Sequence, residues 1–83
     1  MIARKYDSPT LSLNSAPEGA ELVVLSAFGG HEFQRKIAAL GIYPGEKLQI
    51  MERGNCGGLI IKVKGSRLAL GHGMCEKIKV KVA

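Results

Sequence analysis

Tryptophan is absent from this 83-residue chain, and its aromatic residues are two tyrosines and two phenylalanines. So few π-faces leave little on which to stack the bases of a single-stranded nucleic acid. Cysteine is also scarce. Cys56 and Cys75 stand far apart and form no Cys-x-x-Cys pair, which argues against a zinc ribbon and for reduced thiols. No stretch approaches the roughly 20 apolar residues of a membrane helix. The opening MIARKYDSPT lacks the apolar core of a signal peptide. A cytoplasmic protein with no direct membrane insertion is therefore expected. Catalytic motifs are missing too: there is no phosphate-binding loop and no telling Ser/His/Asp arrangement. Glu18, Glu21, Glu46 and Glu52 read as surface residues, and no enzyme activity or cofactor is expected.

What the chain does have is apolar content of 46% and charged content of 23%, a globular balance. Twelve basic residues outnumber seven acidic ones, for a net charge of +5. That excess admits an acidic protein surface, a nucleic acid or an anionic membrane as partner. The length suits one small domain, expected over residues 11–83, behind a loose polar arm over residues 1–10.

LSLNSAPEG (11–19) is rich in turn formers. AELVVLSAF (20–28) is a continuous apolar run, expected as a strand covered on both faces. HEFQRKIAAL (31–40) spaces Phe33, Ile37 and Leu40 along one helical face. Gly41 suits the left-handed position after the last helical residue, with Ile42 folding back on Ile37. In YPGE (43–46), Pro then Gly at the central positions is type II turn chemistry.

KLQIME (47–52) and GLIIKVK (58–64) alternate, with Leu48, Ile50, Leu59, Ile61 and Val63 facing one way. Gly65-Ser66 is expected to close a two-residue type II′ hairpin, placing Val63 opposite Leu68, Ile61 opposite Leu70 and Lys64 opposite Arg67. KIKVKVA (77–83) alternates lysines with Ile78, Val80 and Val82. The sum is mainly β: about five short strands, one helix after the first, in a small barrel whose closure would remove exposed edges.

These stretches resemble a known family. IAALGIYPGEKLQI (37–50), GGLIIKVKGSRLALG (57–71) and CEKIKV (75–80) are similar, in that order, to the ferrous iron transport protein A family (FeoA-like). The resemblance implies an SH3-like β-barrel with one helix inserted after the first strand. It also implies a cytoplasmic bacterial accessory protein of Fe(II) uptake, acting on the cytosolic GTP-binding part of the FeoB transporter. Leu59 stands where members often carry Pro, and Cys75 where they often carry Ala.

Two sets of side chains are candidates for function. The first is a partner-binding surface: Leu40, Gly41, Tyr43, Pro44 and Gly45 at the helix stop, with Lys62, Lys64 and Arg67 on the outward hairpin face. An exposed tyrosine beside basic charge is a plausible interface anchor. Lys77, Lys79 and Lys81 extend the basic set, which otherwise reads as a solvated sheet face. The second is GHGMCEK (71–77), where His72 and Cys75 are metal-ligand types. Zinc would want three or four ligands, and the other donors, His31 and Cys56, lie far off in sequence. The preferred reading makes Cys75 and Met74 core contacts, with His72 in a tight reversal bracketed by Gly71 and Gly73. The alternatives to a transporter partner are a metal sensor or carrier using His72 and Cys75, and a small nucleic-acid-binding barrel.

Overall fold

A computed structural model describes residues 10–54 and 57–83. The expected arm, apart from Thr10, and Cys56 as a candidate ligand lie outside the described residues. Seven strands and helices of five or more residues define the order: β2 (Glu21–Ala27), α1 (His31–Ala39), β3 (Lys47–Arg53), β4 (Leu59–Val63), β5 (Ser66–Leu70), α2 (His72–Glu76) and β6 (Ile78–Val82). Ahead of them come a two-residue strand, β1 (Leu11–Ser12), and a 3-10 turn over Leu13–Ser15.

The sheet is antiparallel, in the order β1-β6-β2-β3-β4-β5. The five expected strands are β2 to β6. β1 is the addition, too short and too polar in its surroundings to show a period. Among the described residues the expected closure into a barrel is not complete: the ladder is open, with β1 and β5 as its two ends. After Ser12 the chain turns into the 3-10 segment.

Alternation accounts for the core. Leu22 and Val24 of β2, Leu48 and Ile50 of β3, Leu59, Ile61 and Val63 of β4, and Ile78 and Val80 of β6 are all buried. They join Leu13, Ala16, Ile37, Ile42, Leu70 and Cys75 in one cluster, so the sheet wraps around a shared interior. β2 is less symmetric than its run of apolar residues suggests. Val23 and Leu25 on its other face are half-buried. Two bulges, after Val24 and after Ile50, bend β2 and β3 and tighten that wrapping.

α1 ends as its sequence predicts. Gly41 has φ of +86°, its N–H donates to Ala38 O at 2.9 Å, and the Ile42 N–H donates to Ile37 O at 3.1 Å. This is the paired bonding of a Schellman stop. The type II turn also forms, with Gly45 at φ +91° and the Glu46 N–H donating to Tyr43 O at 2.9 Å. Val24 then fastens the turn to β2, accepting from Gly45 at 2.7 Å and donating to Glu46 O at 2.9 Å.

The β4–β5 hairpin corrects its expected register. Its loop residues are Lys64 and Gly65, both with positive φ (53° and 80°), as a type I′ turn requires. Val63 pairs with Ser66, Ile61 with Leu68, Leu59 with Leu70, and Lys62 with Arg67. The expected pairing of Lys64 with Arg67 does not occur. A shift of two residues leaves every apolar side chain on the same face, so the alternation alone is blind to it. GHGMCEK is likewise a single helical turn, α2, rather than a tight reversal. The Met74 and Cys75 N–H groups both donate to Gly71 O at 3.1 Å.

Glycine substitutions separate the backbone roles. Gly41→Ala forces a left-handed alanine and lowers unfolding stability by about 1 kcal/mol or more. Gly73→Ala, at a helical glycine with open space around it, raises stability by a few tenths to about 1 kcal/mol. Urea unfolding followed by circular dichroism measures both.

Candidate functional site

The helix stop and the β4–β5 turn, distant in sequence, meet on one surface. The aliphatic stem of Lys64 crosses Gly41, where a methyl group would lie 3.7 Å from Lys64 Cε. Its ammonium then sits 5.5 Å from the centre of the Tyr43 ring and 3.4 Å from Glu46 Oε1. An aromatic face and a carboxylate thus hold the Lys64 ammonium. Tyr43 keeps 47% of its surface exposed, and Pro44 and Gly45 are exposed beside it. Leu40 turns inward instead and packs against the core.

Lys62 and Arg67 stand directly opposite each other on the outward face of β4 and β5, both exposed. Lys62 also lines a shallow groove of about 150 Å³ with Glu21, Lys47, Gln49 and Lys64. The structure therefore brings Tyr43, Pro44, Gly45, Lys62, Lys64 and Arg67 onto one side of the molecule. Lys47 and Glu46 belong with them and are absent from the expected set. The outward phase of Lys47 in β3 was the available signal; the pairing of Glu46 with Lys64 depends on the turn and had none.

The other lysines do not extend this surface as one face. Lys79 is half-buried and donates to Ser12 Oγ at 2.9 Å, tying β6 to β1. Lys77 lies over the Phe33 ring, 5.1 Å from its centre, on the α1 side. Lys81 of β6 pairs with Val23 of β2.

His72 and Cys75 point to different environments. His72 is about half-exposed, with Nε2 2.9 Å from Glu76 Oε2 one turn along α2. Cys75 is fully buried, and its thiol donates to Leu70 O at 3.8 Å. No group of three or more His, Cys, Asp or Glu side chains arranged for a metal occurs among the described residues. Arg53 closes the floor near Cys75, donating through Nη1 to Asn14 O at 2.7 Å and through Nη2 to Ala16 O. Burial pushes the Cys75 thiol above its ordinary pKa of 9.0, while the Leu59 amide and the Arg53 charge pull the other way.

That shift has a sign. Below the unfolded pKa both states keep the thiol proton, so the contribution is fully present. As pH rises past about 9, the unfolded chain ionises first and the contribution is lost. Stability measured from pH 8 upward declines more steeply in the parent than in Cys75→Ala. Parallel curves would remove the effect.

With the geometry in place, the comparisons agree. The FeoA domain family model matches residues 11–82. An Fe(2+) transport protein A of Methanocaldococcus jannaschii is 37% identical over 68 residues, covering 82% of each chain. The crystal structure of an iron uptake regulatory protein (FeoA) superposes with a TM-score of 0.83 at 29% identity, covering 90% of this chain and all of that one. A manganese-dependent transcriptional repressor shares the fold, with a TM-score of 0.83 at 19% identity, over 93% of this chain and 44% of its own.

Proposed function

This chain belongs to the FeoA domain family, and from that membership we propose that it is a cytoplasmic accessory protein of Fe(2+) transport. It docks on the cytosolic GTP-binding part of a FeoB-type membrane transporter. In this reading it performs no chemistry of its own and works by binding. The family supplies the connection to Fe(2+) transport. The single observation that supports a docking role is the joining of Tyr43, Lys64 and the Lys62–Arg67 pair on one exposed surface.

That surface has the composition of a protein interface. It offers an amphipathic aromatic anchor beside concentrated positive charge. Lys62 opposite Arg67 is a like-charge pairing that costs a little stability in the free protein. A partner carboxylate between them would relieve that repulsion. Among the described residues no helix is long and apolar enough to cross a membrane, so in this reading the membrane is reached through the partner.

Titration of the full chain with the purified cytosolic domain tests the reading. Charge reversal at both Lys62→Glu and Arg67→Glu is expected to weaken binding about tenfold or more, and to flatten its salt dependence. Tyr43→Ala is expected to weaken it several-fold with the salt dependence retained. Absence of binding at both low and moderate salt would sink the proposal.

A further inference from the structure

A second surface lies along α1. A groove of about 630 Å³ opens between α1 and α2, lined by Glu32, Phe33, Arg35, Lys36 and Met74. Phe33 and Met74 make its apolar floor and are only partly buried. Gly29 makes the floor possible, because a methyl group there would meet the Phe33 ring at 2.5 Å. Gln34 Nε2 donates to Ala27 O at 2.7 Å and the Phe28 N–H donates to Lys77 O at 2.8 Å, tying α1 and the start of β6 to the end of β2. The groove is therefore built on fixed elements. Its cations, Arg35 and Lys36 with Lys77 over the Phe33 ring, outnumber the single carboxylate of Glu32.

We propose that this groove binds an acidic protein segment that inserts one apolar side chain between Phe33 and Met74. The charge selects the occupant. A second copy of this chain, with its own net charge of +5, brings cations to cations. A nucleic acid would supply the negative charge, but the Phe33 ring already carries the Lys77 ammonium at 5.1 Å, and Met74 gives a phosphate nothing to bond. An acidic segment satisfies the rim, and its apolar anchor covers the floor. This surface shares no residue with the Tyr43–Lys64 surface, so the two inferences stand or fall separately.

The test uses a fluorescein-labelled peptide of glutamates and aspartates with one central phenylalanine, an anchorless polyglutamate, and a lysine-based peptide with the same anchor. Binding is read by anisotropy and by amide shifts in the labelled full chain. Saturable binding of the anchored acidic peptide is expected, with shifts concentrated at residues 31–36 and 72–77. Arg35→Glu with Lys36→Glu, both exposed positions, should weaken it about tenfold. Met74→Ala should weaken it several-fold at unchanged salt dependence, and Lys62→Glu with Arg67→Glu should leave it unchanged. Equal binding of polyglutamate would overturn the proposal, as would shifts confined to β4 and β5. Peptide-independent self-association lost on the Arg35/Lys36 reversal would also overturn it, assigning the groove to a second copy.

Discussion

Ile42 donates its backbone N–H to Ile37 O, and that bond forms only because Gly41 takes a positive φ between them. The consequences run through the molecule. Ile42 returns to the core directly after the helix, so the chain leaves α1 already pointed at β2. Pro44 and Gly45 then reverse it within one turn, and Val24 accepts and donates backbone bonds to that turn. β3 enters the sheet with Leu48 and Ile50 inward, and β4 pairs with it in the register that buries Ile61 and Val63. A side chain at position 41 would disturb this at its source through backbone strain, while a methyl group there would meet the Lys64 stem only at ordinary contact distance.

The same stop makes the surface chemistry. Tyr43 is exposed because Ile42 before it is buried and Pro44 after it fixes the turn that carries the chain away. Lys64, from the neighbouring turn, finds both an aromatic face and the Glu46 carboxylate within reach. A lysine in the left-handed region is disfavoured by roughly 1–2 kcal/mol. The hairpin tolerates it because a type I′ turn matches the twist of the flanking strands. Local conformation, strand twist and surface charge thus converge on one residue.

How much of this was legible in the residues follows from the range of each interaction. The helix of residues 31–40, its glycine stop and the Pro-Gly turn are local features, and the residues that make them lie within a few positions of one another. The strands were legible because burial on one face imposes alternation. The hairpin register was not, since two registers two residues apart bury the same side chains and differ only in turn geometry. Nor was the helical turn of α2, which buries Cys75 but contains Gly73 and is too short for a period. Of the site, Tyr43 and the outward lysines could be named from the sequence. Their partition could not, because Lys77 lies against α1, Lys79 bonds to Ser12 and Lys64 closes on Glu46 only after the sheet has assembled.

That partition carries a mechanical implication. Both surfaces are built on α1: the groove lies along its residues 32–36, and the Tyr43 surface begins just past its last residue. The helix and the turn that follows it are held to the same strand. Gln34 reaches Ala27 at the end of β2, and the turn after α1 bonds to Val24 in its middle. Moving the helix breaks the Gln34 side-chain bond to β2, and moving the turn breaks two backbone bonds to it, so the fold sets the spacing between Tyr43 and the Phe33–Met74 floor. A short segment can occupy only one of them. A folded domain is large enough to touch both, and the rigid spacing would then select among domains by geometry, beyond what net charge alone can discriminate.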